Sequence, residues 1–230
     1  VIRKIAIGFA TILAAAALVG CATTGPMTKD YAAFRREDPR SILVVPALNN
    51  TLNVPAPDFF LSTVSRPFAE RGYYVFPAHM VTRLMEDQGL GDAGLIHKAD
   101  STRLGRLFGC DAVLYVVIQQ WDSKYVVLAT QTTVHFDYVL KSCKTGAVLW
   151  QDTQTMVYSP QANNSGGSPL AGLIAQAIIA AMEKGAPNYM PLTTQANALA
   201  ANAPGNGLPA GPYLPAQYKN DLAVFPIKAK

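Results

Sequence analysis

The sequence predicts an α/β fold, a three-layered domain with a mixed sheet in the order βαβααβ, followed by an antiparallel hairpin and a long helix. Three observations carry this. Short continuous apolar runs, such as Ile42–Val45 and residues 111–118, alternate with apolar residues at helical spacing, the pattern of strands joined by helices and covered on both faces. Residues 130–159 then switch to apolar/polar alternation, the mark of antiparallel strands with one solvated face. Finally, Ser168, Pro169, Gly185 and Pro187 bracket an apolar stretch with helical start and stop signals.

The first strand, Ile42–Val45, ends at Pro46, which has no N–H to give to a ladder. After the loop NVPAPD, Phe60, Leu61, Val64 and Phe68 recur at helical spacing, with Asp58 as candidate cap; Pro67 predicts a kink or an early end. Gly72 closes that helix and YYVF (residues 73–76) forms the second strand. A second helix follows, with Met80, Val81, Leu84 and Met85 apolar and Gly89 as its stop. A third places Leu104, Leu107 and Phe108 on one face, with Asp100 or Ser101 as cap and Gly109 as terminator. The segment DAVLYVVI is the third strand and the most apolar.

In the hairpin, Val134, Phe136, Tyr138 and Leu140 alternate with polar residues and CKTG (143–146) makes the turn. The long helix, residues 169–184, has small and almost uncharged residues opposite its apolar stripe, which predicts cover on both sides. From Ala186 onward, seven of the sixteen prolines fall within 45 residues. Such a segment is not expected to build a core, although Tyr189, Tyr213, Tyr218 and Phe225 are candidate anchors on the surface of the domain.

The N-terminal stretch has Arg3 and Lys4, then fifteen uncharged residues from Ile5 to Val19, then Gly20 and Cys21. This is the layout of a secretory signal and is shorter than the ~20 apolar residues of a membrane-crossing helix. The residues Leu18-Val19-Gly20-Cys21 resemble the lipobox of bacterial lipoproteins. That resemblance implies cleavage between Gly20 and Cys21 and acylation of Cys21, by diacylglycerol on the thiol and a fatty acid such as palmitate on the new amine. Ala22, where an aspartate would favour the inner membrane, points by the same resemblance to the outer membrane. The expected division is a signal peptide over 1–20, a lipidated tether over 21–40, the α/β domain over 41–185 and a Pro/Ala/Gly-rich extension over 186–230.

Without Arg3 and Lys4 the chain keeps 17 basic against 15 acidic residues, a net charge of +2, which is not the balance of a nucleic-acid-binding protein. With Cys21 acylated, Cys110 and Cys143 can form one disulfide if their Cα atoms lie within about 7 Å. Two free, mostly buried thiols is the reading the sequence favours.

The segment GLGDAG matches a phosphate-cradling glycine pattern with Gly89, Gly91 and Gly94, but follows a helix instead of a strand, so it is expected to be a loop. His79, His97 and His135 lack paired metal-ligand spacing, and His135 is expected on the solvated face of the hairpin. No nucleophile elbow or Walker-type loop occurs, so no metal, no cofactor and no catalytic residue is expected.

SILVVPALNNT, FAERGYYVFP, LGRLFGCDAVLYVVIQQW and TGAVLWQ, together with the lipobox, resemble a bacterial lipoprotein family of unknown function. Its fold is similar to the TolB N-terminal domain and the periplasmic domain of CsgG. The resemblance covers roughly residues 21–190 and implies a non-catalytic, membrane-tethered accessory of an envelope transport or secretion assembly, with a CsgG-like lipoprotein as partner or with further copies of itself. Two other readings stay open: a CsgG-like pore built from hairpins over Val126–Tyr158, and an envelope enzyme or ligand-binding protein that uses the strand ends.

Overall fold

The computed structural model describes residues 29–126, 129–158 and 189–228. Among these, six strands form one sheet: β1 (Ser41–Val44), β2 (Leu48–Asn49), β3 (Tyr74–Val75), β4 (Ala112–Val126), β5 (Ala129–Ser142) and β6 (Val148–Tyr158). The order is β3-β1-β4-β5-β6, with β2 continuing the line of β1 beside β4. β3, β1, β2 and β4 pair in parallel, and β4, β5 and β6 pair antiparallel. The predicted mixed α/β fold is therefore present. Helices α1 (Ala32–Glu37), α2 (Ala56–Glu70) and α6 (Met190–Asn202) cover one face; α3 (Ala78–Asp87), α4 (Ala93–Lys98) and α5 (Ser101–Phe108) cover the other.

Alternation along the strands divides the core in two. Ile42, Val44, Leu114 and Val116 face the first helical layer with Phe136, Tyr138, Leu140 and Trp150. Leu43, Val45, Val113 and Tyr115 face the second, against Val81, Met85, Ile96 and Leu104. Pro46 ends β1, yet the chain stays beside β4: Val45 N–H donates to Leu114 and Asn50 N–H to Ile118, so β2 resumes after the proline.

Several local expectations are corrected. α2 opens at Ala56 behind Pro55, so Asp58 lies in its first turn instead of capping it. Pro67 does not end α2, which runs three residues further. An interior proline costs about 3 kcal/mol, and complete burial of Val64 and Phe68 at about 1.5–3 kcal/mol each outweighs it. β4 does not stop at Ile118: it passes a bulge between Ile118 and Gln120 and stays paired with β5 to Val126. α4 begins inside the GLGDAG segment expected to be a loop, so Gly94 is helical; it is capped by Asp92, whose carboxylate accepts from Leu95 N–H at 2.8 Å. Asp100 caps α5 through Thr102 N–H, and Gly109, at φ 69°, closes it.

The hairpin turn lies where CKTG predicts it, with Ser142 Oγ accepting from the N–H groups of Lys144 and Thr145. Cys110 and Cys143 are joined by a disulfide across a Cα–Cα distance of 6.0 Å, which corrects the favoured reading of two free thiols. α5 brings them together. Ser101 Oγ donates to the Ser142 carbonyl, and any Cβ on Gly105 would overlap the Cys143 carbonyl oxygen, so the helix lies directly on the turn. The bridge spans 33 residues, for which loop-closure entropy gives about 3–4 kcal/mol. The double variant Cys110→Ser/Cys143→Ser is expected to lose unfolding free energy of that order in urea; an unchanged midpoint would show that the bond adds no stability.

The largest departure concerns the two ends of the domain. The expected tether stops short of residue 40: Lys29 Nζ pairs with Asp152, Tyr31 and Phe34 are buried, and α1 joins the core. The expected C-terminal extension is likewise part of the fold. α6 buries Leu192, Ala196, Asn197 and Ala200 against α2 and the sheet, and Leu208 and Phe225 are buried beyond it. Tyr138 Oη donates to Asn197 Oδ1 at 2.8 Å, Asn197 Nδ2 donates to Thr63 Oγ1 at 3.0 Å, and Thr63 Oγ1 donates to the Phe60 carbonyl. This buried polar chain fixes α6 in register against α2. The predicted helix over 169–184 lies outside the described residues.

Candidate functional site

The sheet edge at β3 and the helix after it form an apolar hollow. Tyr74 and Phe76 leave the strand, Pro77 turns the chain, and α3 presents Met80 and Leu84 outward while Val81 and Met85 go into the core. Phe108, at the end of α5, closes the far wall. The resulting groove measures about 610 Å³, and Met80 within it is 71% exposed. Its charged rim, Arg83 and Asp87, is an exposed i,i+4 pair at 3.5 Å. What this groove offers chemically is apolar contact.

A second hollow between α2 and α3 gathers Asp58, Ser62, Ser65 and His79, residue types that elsewhere build hydrolytic sites. Their hydrogen bonds do not converge: Ser62 Oγ donates to the Phe59 carbonyl at 2.7 Å, and His79 takes no bond from Ser62, Ser65 or Asp58. The other two histidines are placed apart. His97 Nε2 lies 3.1 Å from the Pro46 carbonyl oxygen and meets Tyr115 edge-on; burial pushes its imidazole pKa down, against the raising effect of that carbonyl. His135 lies on the uncovered face of β5, 3.4 Å from Asp137.

Asp137 is the best-connected carboxylate of that face. Burial raises its pKa, but hydrogen bonds from Gln119 at 2.8 Å and Thr153 at 2.9 Å, with His135 beside it, hold the carboxyl below its ordinary range. The chain's own donors therefore occupy it. Among the described residues, no three His, Cys, Asp or Glu side chains are grouped to hold a metal ion. No helix among them is long and apolar enough to cross a membrane.

Residues 29–213 match the family described as "Putative lipoprotein GNA1162-like". The chain belongs to this GNA1162-like lipoprotein family. A curated relative, "Putative lipoprotein NMB1124/NMB1162" of Neisseria meningitidis serogroup B, is 32% identical over 177 residues, covering 77% of this chain and 80% of the relative. The crystal structure of lipoprotein GNA1162 from Neisseria meningitidis is similar at a TM-score of 0.52 and 32% identity, covering 64% of this chain and 99% of that one. The PelC dodecamer from Paraburkholderia phytofirmans is far looser, with a TM-score of 0.38 and 18% identity over 68% of this chain and 89% of that one, too loose for its assembly to bear on this protein.

The family match begins at Lys29, the first described residue, and runs into the C-terminal segment, so most of the described residues lie within it. Membership in a lipoprotein family implies a lipid anchor and a place in the cell envelope. Gly20 and Cys21, the residues expected to carry cleavage and acylation, lie outside the described residues. Cys110 and Cys143 are brought together as a structural bond in the second core. Sequence reasoning missed the groove because its walls come from β3, α3 and the end of α5, and the exposed Met80 and Leu84 were the available signal.

Proposed function

We propose that the protein is a lipid-anchored, non-catalytic accessory of a cell-envelope assembly, tethered to the outer membrane through Cys21 and acting by contact with another envelope protein. The observation that carries this reading is the Leu18–Cys21 lipobox in a chain that belongs to a lipoprotein family. Ala22 favours the outer membrane over the inner. The character of the groove supports binding over chemistry: its apolar walls carry no convergent acid, base or nucleophile, and its Arg83–Asp87 pair is self-satisfied. A CsgG-like lipoprotein is the partner that the family resemblance suggests.

The hairpin geometry speaks against a pore. Val134, Phe136, Tyr138 and Leu140 of β5 are buried under the first helical layer, and Gln119, His135, Asp137 and Thr153 make the opposite face polar, where a barrel would need an apolar band.

Affinity purification of the intact lipoprotein from mild detergent should recover one defined envelope protein in stoichiometric yield. Repeated recovery of the chain alone, or hydrolase activity in the purified protein, would sink the reading.

A further inference from the structure

We propose that the outer surface of the C-terminal segment around Leu222, Val224 and Ile227 rests on the bilayer that carries the anchor. The inference builds on the acylation of Cys21 proposed above. Its ground is the length of chain left between the lipid and the fold. Lys29 is pinned from three directions: its N–H donates to the Gly205 carbonyl, its Nζ donates to the Asn206 carbonyl, and the same Nζ pairs with Asp152. Two residues on, Tyr31 is buried, with its N–H on the Pro226 carbonyl and its Oη on the Gly207 carbonyl. From Cys21 to Lys29 there are eight steps of chain, which reach at most about 28 Å when fully extended.

A folded unit of this size is roughly 40 Å across. The leash is shorter than that, so the domain cannot turn over and set its far side on the membrane. Whichever surface flanks Lys29 faces the bilayer. That surface is built by the C-terminal segment: Lys228 N–H donates to Asp30, Pro226 accepts from Tyr31, and Phe225 packs on Tyr31 with ring centroids 5.3 Å apart.

The exposed residues there suit a lipid surface. Leu222 is 50%, Val224 41% and Ile227 54% exposed, and Lys228 follows on the outside. The acidic residue of the stretch, Asp221, is turned inward, where it pairs with Arg35 at 2.6 Å and accepts from Ala210 N–H. The outer side of the stretch thus shows apolar side chains and a lysine, its own carboxylate being consumed in the fold, with the exposed Asp30 at its border accepting from the N–H groups of Ala32 and Lys228. Apolar groups at the headgroup boundary with a cation beside them are the makeup of an interfacial contact.

The test uses the full, acylated chain in phosphatidylethanolamine/phosphatidylglycerol vesicles containing lipids brominated near the headgroup end of the acyl chain. Tryptophan is placed by Ile227→Trp at the proposed contact, or by Leu95→Trp on α4 across the sheet; native Trp121 and Trp150 are buried and give a common background. Flotation reports the anchor and quenching reports the face. Vesicles that float with I227W quenched at least twice as strongly as L95W support the proposal. Equal quenching in floating vesicles overturns it while leaving the anchor intact. A blue shift of I227W in detergent that grows with protein concentration assigns the strip to a second copy and also overturns it. A chain that does not float refutes the anchor itself, and the proposal with it.

Discussion

Truncation after residue 188 is expected to abolish cooperative folding, even though the segment removed reads in the sequence as a proline-rich appendage. Leu192, Ala196, Ala200, Leu208 and Phe225 all belong to the buried cluster of the first helical layer. Loss of the three largest, Leu192, Leu208 and Phe225, forfeits about 1.5–3 kcal/mol each. It also uncovers part of what they pack on, including Phe60, Tyr138 and Trp150. Three buried donors lose their acceptors as well: Tyr138 Oη on Asn197, Trp150 Nε1 on the Asn206 carbonyl and Tyr73 Oη on the Pro209 carbonyl. At a net of about 0.5–1.5 kcal/mol for each hydrogen bond exchanged for water, the total falls within the roughly 5–15 kcal/mol by which domains are ordinarily stable. Near-UV circular dichroism of the truncated chain should be flat and proteolysis rapid. The milder Asn197→Ala variant, which leaves Tyr138 and Thr63 without their partner, should fold but lose about 2–3 kcal/mol. A truncated chain with a native near-UV spectrum would show that the segment is dispensable.

The reason this segment misleads is chemical. α6 buries Leu192 and then Thr193, Ala196, Asn197, Ala200 and Ala201, a face of small and polar residues. Sequence patterns detect large apolar residues at helical spacing, and a helix that fits by closeness to α2 and by one asparagine's hydrogen bonds lacks that contrast. The elements that could be read beforehand have the opposite character. β1 and the first half of β4 are continuous apolar runs, the hairpin alternates over Val134–Tyr138, and Asp100 and Gly109 mark the ends of α5 by local backbone chemistry.

What depends on distant partners could not be read. Arg35 meets Asp221 across 186 residues, Tyr31 meets Gly207 across 176, and Cys110 bonds to Cys143 only because α5 and the hairpin turn converge. The second half of β4 was hidden for another reason. Gln119, Gln120, Asp122 and Lys124 look like a loop in isolation, but past the bulge at Gln119 the backbone of the others is paired by β5 whatever the side chains are. The groove at Met80 and Leu84 also needs the third dimension, whereas the lipobox is a linear motif and can be seen without it.

Cys21→Ser is expected to remove the protein from the membrane fraction while leaving its fold unchanged. The two effects are expected to separate because Cys21 lies eight residues before Lys29, the first described residue, whose N–H is bonded to the Gly205 carbonyl. Retention by acyl chains is worth about 0.8 kcal/mol per buried methylene, and two or more chains make it stable. A serine at this position offers no thiol for the diacylglycerol, so all of that attachment energy is lost together. The fifteen-residue apolar stretch from Ile5 to Val19, if left uncleaved, is shorter than the ~20 residues of a permanent span and would not replace it. Radiolabelled palmitate should therefore label the wild-type chain and not the variant. The variant should also leave the membrane pellet on carbonate extraction, and its thermal unfolding midpoint should match that of the wild type. A labelled variant, or an unlabelled one that stays in the pellet, would contradict the assignment of Cys21. A variant that leaves the pellet but melts at lower temperature would mean that residues before Lys29 contribute to the core, and the short leash would then have to be redrawn.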